Sequence, residues 1–126
     1  MAKTILLVDD EPDMLETLGM RLTKAGYKVI TSVTGEECLQ KAEEKYPDLI
    51  LLDILLPGLS GFEVAKRLKA KKITEDIPII MVTALIGKDV EAKGLERGAD
   101  YFISKPFDPE ELLSKIKTIL EKGNKK

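Results

Sequence analysis

The 126-residue chain contains no histidine. That absence excludes a histidine phosphocarrier, a Ser-His-Asp or Cys-His nucleophile pair and any imidazole metal site. Whatever chemistry the chain performs must run on carboxylates, hydroxyls and lysines. Cysteine is nearly as scarce. Cys38 stands alone, so there is neither an intramolecular disulfide nor a thiolate cluster for zinc, as expected in a reducing compartment. It reads as a small buried apolar residue. Long apolar runs are missing too: the longest, such as Leu49-Ile50-Leu51-Leu52, are strand-sized and fall far short of the roughly 20 residues a transmembrane helix needs. The N-terminus lacks the basic segment and apolar core of a secretion signal, and a cytoplasmic location is expected. Nor is there an excess of charge of one sign. A net charge of -2 supplies no basic footprint for nucleic acid, so direct DNA binding is not expected.

What is present describes one ordinary soluble domain. Apolar residues make up 44% and charged residues 33% of the chain, and its length allows a single core. Five short apolar runs recur: Thr4–Val8, Lys28–Val33, Leu49–Asp53, Ile79–Thr83 and Tyr101–Lys105. Several lack alternation, the pattern of strands covered on both faces in a parallel sheet. Helix signals fill the gaps. Thr34 with Glu37, Ser60 with Glu63 and Asp108 with Glu111 each place a capping side chain three residues before an acid. Pro12 and Pro109 occupy first helical positions, and Gly26 is a C-terminal stop. In the first helix Met14, Leu18, Leu22 and Ala25 form an apolar stripe, with Leu15 on its edge and Met20 off it. A β-α unit repeated five times implies the doubly wound α/β class, a parallel sheet with helices on both faces. The domain is expected to span residues 1–121, with a solvated tail at 122–126, frayed from Glu121, and no attached effector domain.

In such a sheet ligands bind beyond the carboxyl ends of the strands. Those ends carry Asp9-Asp10, Asp53, Thr83 and Lys105, which places three carboxylates, a hydroxyl and an ammonium on one rim. Each alone means little: an acidic pair is commonly a solvated loop, Asp10-Glu11-Pro12 could be simple helix entry, and Lys105 a loop lysine. Jointly they mean more. Three carboxylates a few ångströms apart repel one another unless a cation compensates. Magnesium, which keeps several waters and prefers one or two carboxylates plus phosphate oxygens, suits an open acidic rim. A metal, a lysine and a hydroxyl around a carboxylate nucleophile suffice for phosphoryl transfer, which is mostly positioning and charge neutralisation.

From residue 3 to 121 the chain resembles the receiver domain family of two-component signalling, of the chemotaxis-regulator type. The motifs are Leu6-Leu7-Val8-Asp9-Asp10-Glu11, then Asp53 with Pro57-Gly58 and Gly61, then Thr83-Ala84, and Lys105-Pro106-Phe107. The resemblance implies a flavodoxin-like (βα)5 fold with strand order 2-1-3-4-5. It implies that Asp53 is the phosphoacceptor, that Asp10 and Asp53 ligate Mg2+ (or Mn2+) directly, Asp9 through water and Leu55 through its backbone carbonyl. Thr83 would bond a phosphoryl oxygen through its hydroxyl, Ala84 through its amide, and Lys105 would pair with another oxygen. Lys105-Pro106 would be a cis peptide. Thr83 and Phe102 would form the switch, the ring entering space that Thr83 vacates and repacking the face of the fourth helix, fifth strand and fifth helix; plain core packing is the simpler role for Phe102. That face is also where a phosphorylation-dependent dimer would form. The phosphodonor would be a sensor histidine kinase or histidine phosphotransfer protein, and the output an unidentified downstream protein.

Three expectations are local to this chain. Leu55 and Leu85, each two residues beyond a site residue, should exclude water and lengthen the life of a phosphoaspartate. Met14, Leu15 and the Pro106-Phe107 loop should meet the donor. The lysine-rich end with Gly123-Asn124 reads as a natural terminus, which favours a free-standing protein over the alternative, a receiver cut from a longer regulator just after Lys126. Competing activities fit less well. A haloacid-dehalogenase-like phosphatase needs an aspartate where Leu55 stands, and a flavin-mononucleotide binder would be repelled by Asp9-Asp10-Glu11. An unphosphorylated pseudo-receiver would not need all five chemical positions filled.

Overall fold

A computed structural model of the chain describes residues 2–85 and 87–123. Strands and helices alternate throughout: β1 Thr4–Val8, α1 Pro12–Lys24, β2 Lys28–Ser32, α2 Gly35–Lys45, β3 Leu49–Leu52, α3 Gly61–Ala70, β4 Ile79–Thr83, α4 Lys88–Glu96, β5 Tyr101–Ser104 and α5 Pro109–Gly123. The five strands form one sheet in the order β2-β1-β3-β4-β5, and every neighbouring pair is parallel. The three inner strands are apolar at nearly every position because both their faces are covered, and alternation survives in neither β3 nor β4. Ile5, Leu7, Leu49, Leu51, Ile80 and Val82 pack on one face against Leu18 and Leu22 of α1 and Leu112 and Ile116 of α5. Leu6, Val8, Ile50, Leu52, Ile79 and Met81 pack on the other against Cys38 and Ala42 of α2 and Val64, Ala65 and Leu68 of α3. Burial of Cys38 holds its thiol protonated, with the pKa pushed up to about 12.

The helix ends follow the sequence, with corrections. Thr34 and Ser60 accept the amides of Glu37 and Glu63 at 3.1 and 3.3 Å. Neither acid closes the box on its own cap: Glu37 accepts the amide of Val33, one residue before the cap, at 2.9 Å, and the Glu63 carboxylate pairs with Arg67 at 3.0 Å. Asp108 accepts from Glu110 rather than Glu111, at 3.0 Å, because a short Asx side chain reaches the nearer amide as readily. Gly26, with φ of 102°, closes α1 through Tyr27 N–H to Leu22 C=O. Ala25 is exposed: it lies past the last helical turn, where the helical stripe no longer points inward. At the far end α5 runs on to Gly123. Glu121 and Lys122 are therefore helical rather than frayed, and the boundary expected at 121 falls inside the helix; Asn124–Lys126 of the expected tail lie outside the described residues. No helix among the described residues is long and apolar enough to cross a membrane.

Candidate functional site

At the carboxyl end of the sheet the hydrogen-bond ladder continues just past the strands: Asp9 N–H bonds Ser32 C=O, Asp53 N–H bonds Val8 C=O, and Lys105 N–H bonds Thr83 C=O at 2.8 Å. Each chemically equipped residue is thereby fixed by its neighbour strand. A second device then repeats at three strand ends. Asp9 Oδ1 accepts the amide of Glu11 at 2.9 Å, Asp53 Oδ1 that of Leu55 at 3.1 Å, and Thr83 Oγ1 that of Leu85 at 3.3 Å. These local turns, which Asp and Thr side chains form with the backbone two residues on, orient each functional oxygen before any ligand arrives.

The carboxylates of Asp9, Asp10 and Asp53 each offer an oxygen within 4.8 Å of the others. Asp9 and Asp53 are buried and Asp10 is exposed, so the cluster opens to solvent on one side. Lys105 reaches in from the end of β5, its Nζ donating to Asp9 Oδ2 at 2.7 Å and Asp53 Oδ2 at 3.0 Å, with Glu11 Oε1 at 3.5 Å. Burial raises the Asp9 carboxyl above its ordinary value although Lys105 and the Glu11 amide pull it down. Burial likewise works against the charge of Lys105, but its bonds to Asp9 and Asp53 outweigh this and hold the ammonium charged well above the usual lysine range. Thr83 is fully buried at the end of β4, and Ala84 is exposed beside it. Lys105-Pro106 is cis.

Residues 5–117 match the response regulator receiver domain. The chain belongs to that family. Among the receiver domain's relatives are the phosphate regulon transcriptional regulatory protein PhoB of Pseudomonas aeruginosa, 45% identical over 97% of this chain and 53% of that protein, and the alkaline phosphatase synthesis transcriptional regulatory protein PhoP of Bacillus subtilis, 46% identical over 98% of this chain and 50% of that protein. The chain thus spans about half the length of these curated relatives. A CheY-like response regulator receiver domain protein from Methanospirillum hungatei superposes with a TM-score of 0.92 at 37% identity, covering 99% of this chain and 98% of that one. The receiver domain of sensor histidine kinase PA1611 from Pseudomonas aeruginosa, solved with magnesium in its active-site cleft, superposes at 0.89 with 28% identity, covering 96% of this chain and 99% of that one.

The receiver domain's structure gathers Asp9, Asp10, Asp53 and Lys105 as the strand ends imply. It separates two other residues. Met14, Pro106 and Phe107 line an apolar cleft of about 390 Å³ between α1 and the start of α5, with Leu18 and Pro109, whereas Leu15 lines a different groove toward β2, with Gly19, Met20 and Val29. Adjacent helix positions point about 100° apart, and here that rotation puts them at the mouths of two different grooves although both pack against the same core. Two glycines matter more than their residue type announces. A Cβ at Gly61 would collide with the Asp53 carbonyl oxygen and lie 2.7 Å from Ile54 Cα, so α3 can start close against the Asp53 loop only with glycine there. Gly94 of α4 rests against Met81 and the ring of Phe102. Neither role leaves a mark in the residue pattern beyond the glycine itself.

Proposed function

We propose that Asp53 accepts a phosphoryl group from a phosphohistidine on a sensor kinase or phosphotransfer protein, and that the surrounding residues make this transfer possible in the cytoplasm. The observation that carries the reading is a buried carboxylate, Asp53, held in one cluster with Asp9 and Asp10 and touched by the Lys105 ammonium. An oxygen of Asp53 attacks phosphorus, the P–N bond to the donor imidazole breaks, and the imidazole nitrogen leaves with the electron pair. The donor must bring the histidine, since this chain has none.

The carboxylate cluster fits a hard divalent cation: its oxygens converge, one side is open to water, and buried Asp9 and Asp53 carry more negative charge than one lysine balances. Asp9, Asp10 and Asp53, with the Leu55 carbonyl, would hold Mg2+, which would neutralise charge on the transferred phosphoryl oxygens. Lys105 supplies the protein's own positive charge to one of those oxygens, the Thr83 hydroxyl and the Ala84 amide bond to others. The cleft at Met14, Pro106 and Phe107 adjoins Lys105 and offers an apolar seat for the donor.

The switch reading rests on Thr83 and Phe102. The Thr83 hydroxyl is held by the Leu85 amide; turning it to a phosphoryl oxygen breaks that bond and frees space beside the half-buried Phe102 ring. Turnover of an external phosphoester is not part of this function. Incubation with acetyl phosphate and Mg2+ followed by intact mass tests the whole: one phosphoryl is gained by the wild type and none by Asp53→Ala, and no gain in the wild type defeats the reading.

A further inference from the structure

Lys105 is shared by three carboxylates, and they are not equivalent. Asp9 and Asp53, at 2.7 and 3.0 Å from its Nζ, belong to the metal-binding cluster; Glu11, at 3.5 Å, does not. A divalent cation entering that cluster meets an ammonium already on two of its ligand groups, so the two cations compete for the same carboxylates.

Glu11 is built to receive the loser. It stands at the N-cap of α1, yet its side chain makes no capping bond to the first turn. Its backbone is pinned on both sides, its N–H by Asp9 Oδ1 at 2.9 Å and its C=O by the amide of Leu15 at 3.1 Å. The carboxylate is left exposed and turned to Lys105, whose flexible four-carbon stem can follow it.

We propose that Glu11 is a positioning residue, a second seat that draws the Lys105 ammonium away from Asp9 and Asp53 and so makes room for the divalent cation. The inference rests on the reading that those aspartates bind Mg2+. The lysine then stays at the rim of the site, still charged and within reach of an incoming phosphoryl oxygen, instead of being expelled into solvent.

Calorimetric titration of Mg2+ alone into four full-length proteins separates this from a general charge effect: wild type, Glu11→Gln, Lys105→Met and the double variant, with circular dichroism confirming the fold of each and Lys105→Gln as a substitute should Lys105→Met fail to fold. Lys105→Met is expected to bind Mg2+ about tenfold more tightly or better, because the competing charge is gone. Glu11→Gln should weaken binding roughly two- to fivefold in the wild-type background, the range of an exposed ion pair, and leave the Lys105→Met protein nearly unchanged. Equal weakening in both backgrounds means that Glu11 attracts the metal directly and overturns the proposal. So does an unchanged affinity in Glu11→Gln, or no tightening in Lys105→Met. A wild type that binds no Mg2+ defeats the metal reading first, and the competition with it.

Discussion

Helices α3 and α4 cover the same face of the sheet and are held there by different means. α3 buries Gly61, Val64, Ala65 and Leu68; α4 buries Gly94 alone. α3 begins with a serine whose hydroxyl caps Glu63, while α4 begins at Gly87, with φ of 130° and no side-chain cap. The glycines themselves differ. Gly61 faces backbone, the Asp53 carbonyl and Ile54 Cα, which cannot yield without moving the loop after Asp53. Gly94 faces the Met81 sulfur and the Phe102 ring, 3.1 and 3.4 Å from a Cβ built there, and both are side chains that can turn. Between the two helices the Lys93 ammonium of α4 lies 4.7 Å over the Phe62 ring of α3. The comparison teaches that the Asp53 side is fixed to the core, whereas α4 rests on adjustable contacts.

The largest effect expected is Leu68→Ala on α3, which should cost about 2–5 kcal/mol of stability by urea denaturation because the buried side chain leaves a cavity. Leu95→Ala on α4, where the residue is 47% exposed, should stay within about 0.5 kcal/mol; equal costs would break the comparison. Next is the same substitution on both glycines. Gly61→Ala should cost about 1–3 kcal/mol, the range for overpacking a rigid site, and lower the rate of phosphorylation by acetyl phosphate. Gly94→Ala gains up to about 1 kcal/mol of helix propensity, which offsets its tighter contacts, so stability should change little while the aromatic NMR shifts of Phe102 move. Unmoved Phe102 signals in that variant would count against the adjustable seat.

Lys105 ties the end of β5 to Asp9 and Asp53. Lys105→Met should cost about 1–3 kcal/mol at neutral pH, the range for hydrogen bonds to charged groups. Its folded pKa is raised above the ordinary 10.5, so its contribution is fully present below pH 10.5 and lost as pH rises through the folded value. The gap in unfolding free energy between wild type and variant should accordingly narrow in alkali. A gap that widens there would contradict the assignment. The smallest effect concerns the two leucines, Leu55 on the fixed side and Leu85 on the α4 side. Leu55→Asn and Leu85→Glu should each shorten the phosphoaspartate lifetime, measured by loss of the phosphoryl mass. Since Leu55 is 53% exposed and Leu85 packs partly into the core, the larger shortening is expected at Leu85.

Much of the site was legible because a parallel sheet converts position in the chain into position in space. Once Asp9, Asp10, Asp53, Thr83 and Lys105 were placed at strand ends, the topology brought them to one rim. The departures came where geometry finer than that was needed. Ala25 lies on the helical stripe yet is exposed, Leu15 and Met14 face different grooves, and Asp108 caps one residue earlier than the sequence spacing suggests. Glycine carries no polarity or periodicity, so what Gly61 and Gly94 sit against was not readable at all.

The sequence by itself determined the elements, the sheet class and the set of chemical groups, because apolar periodicity, caps and the absence of histidine are local facts. Only the tertiary structure decided how one lysine is divided among three carboxylates, and which of two helices on the same face packs against backbone rather than side chains. Those depend on distances between residues as many as 96 positions apart, and on which atoms, backbone or side chain, happen to face a missing Cβ.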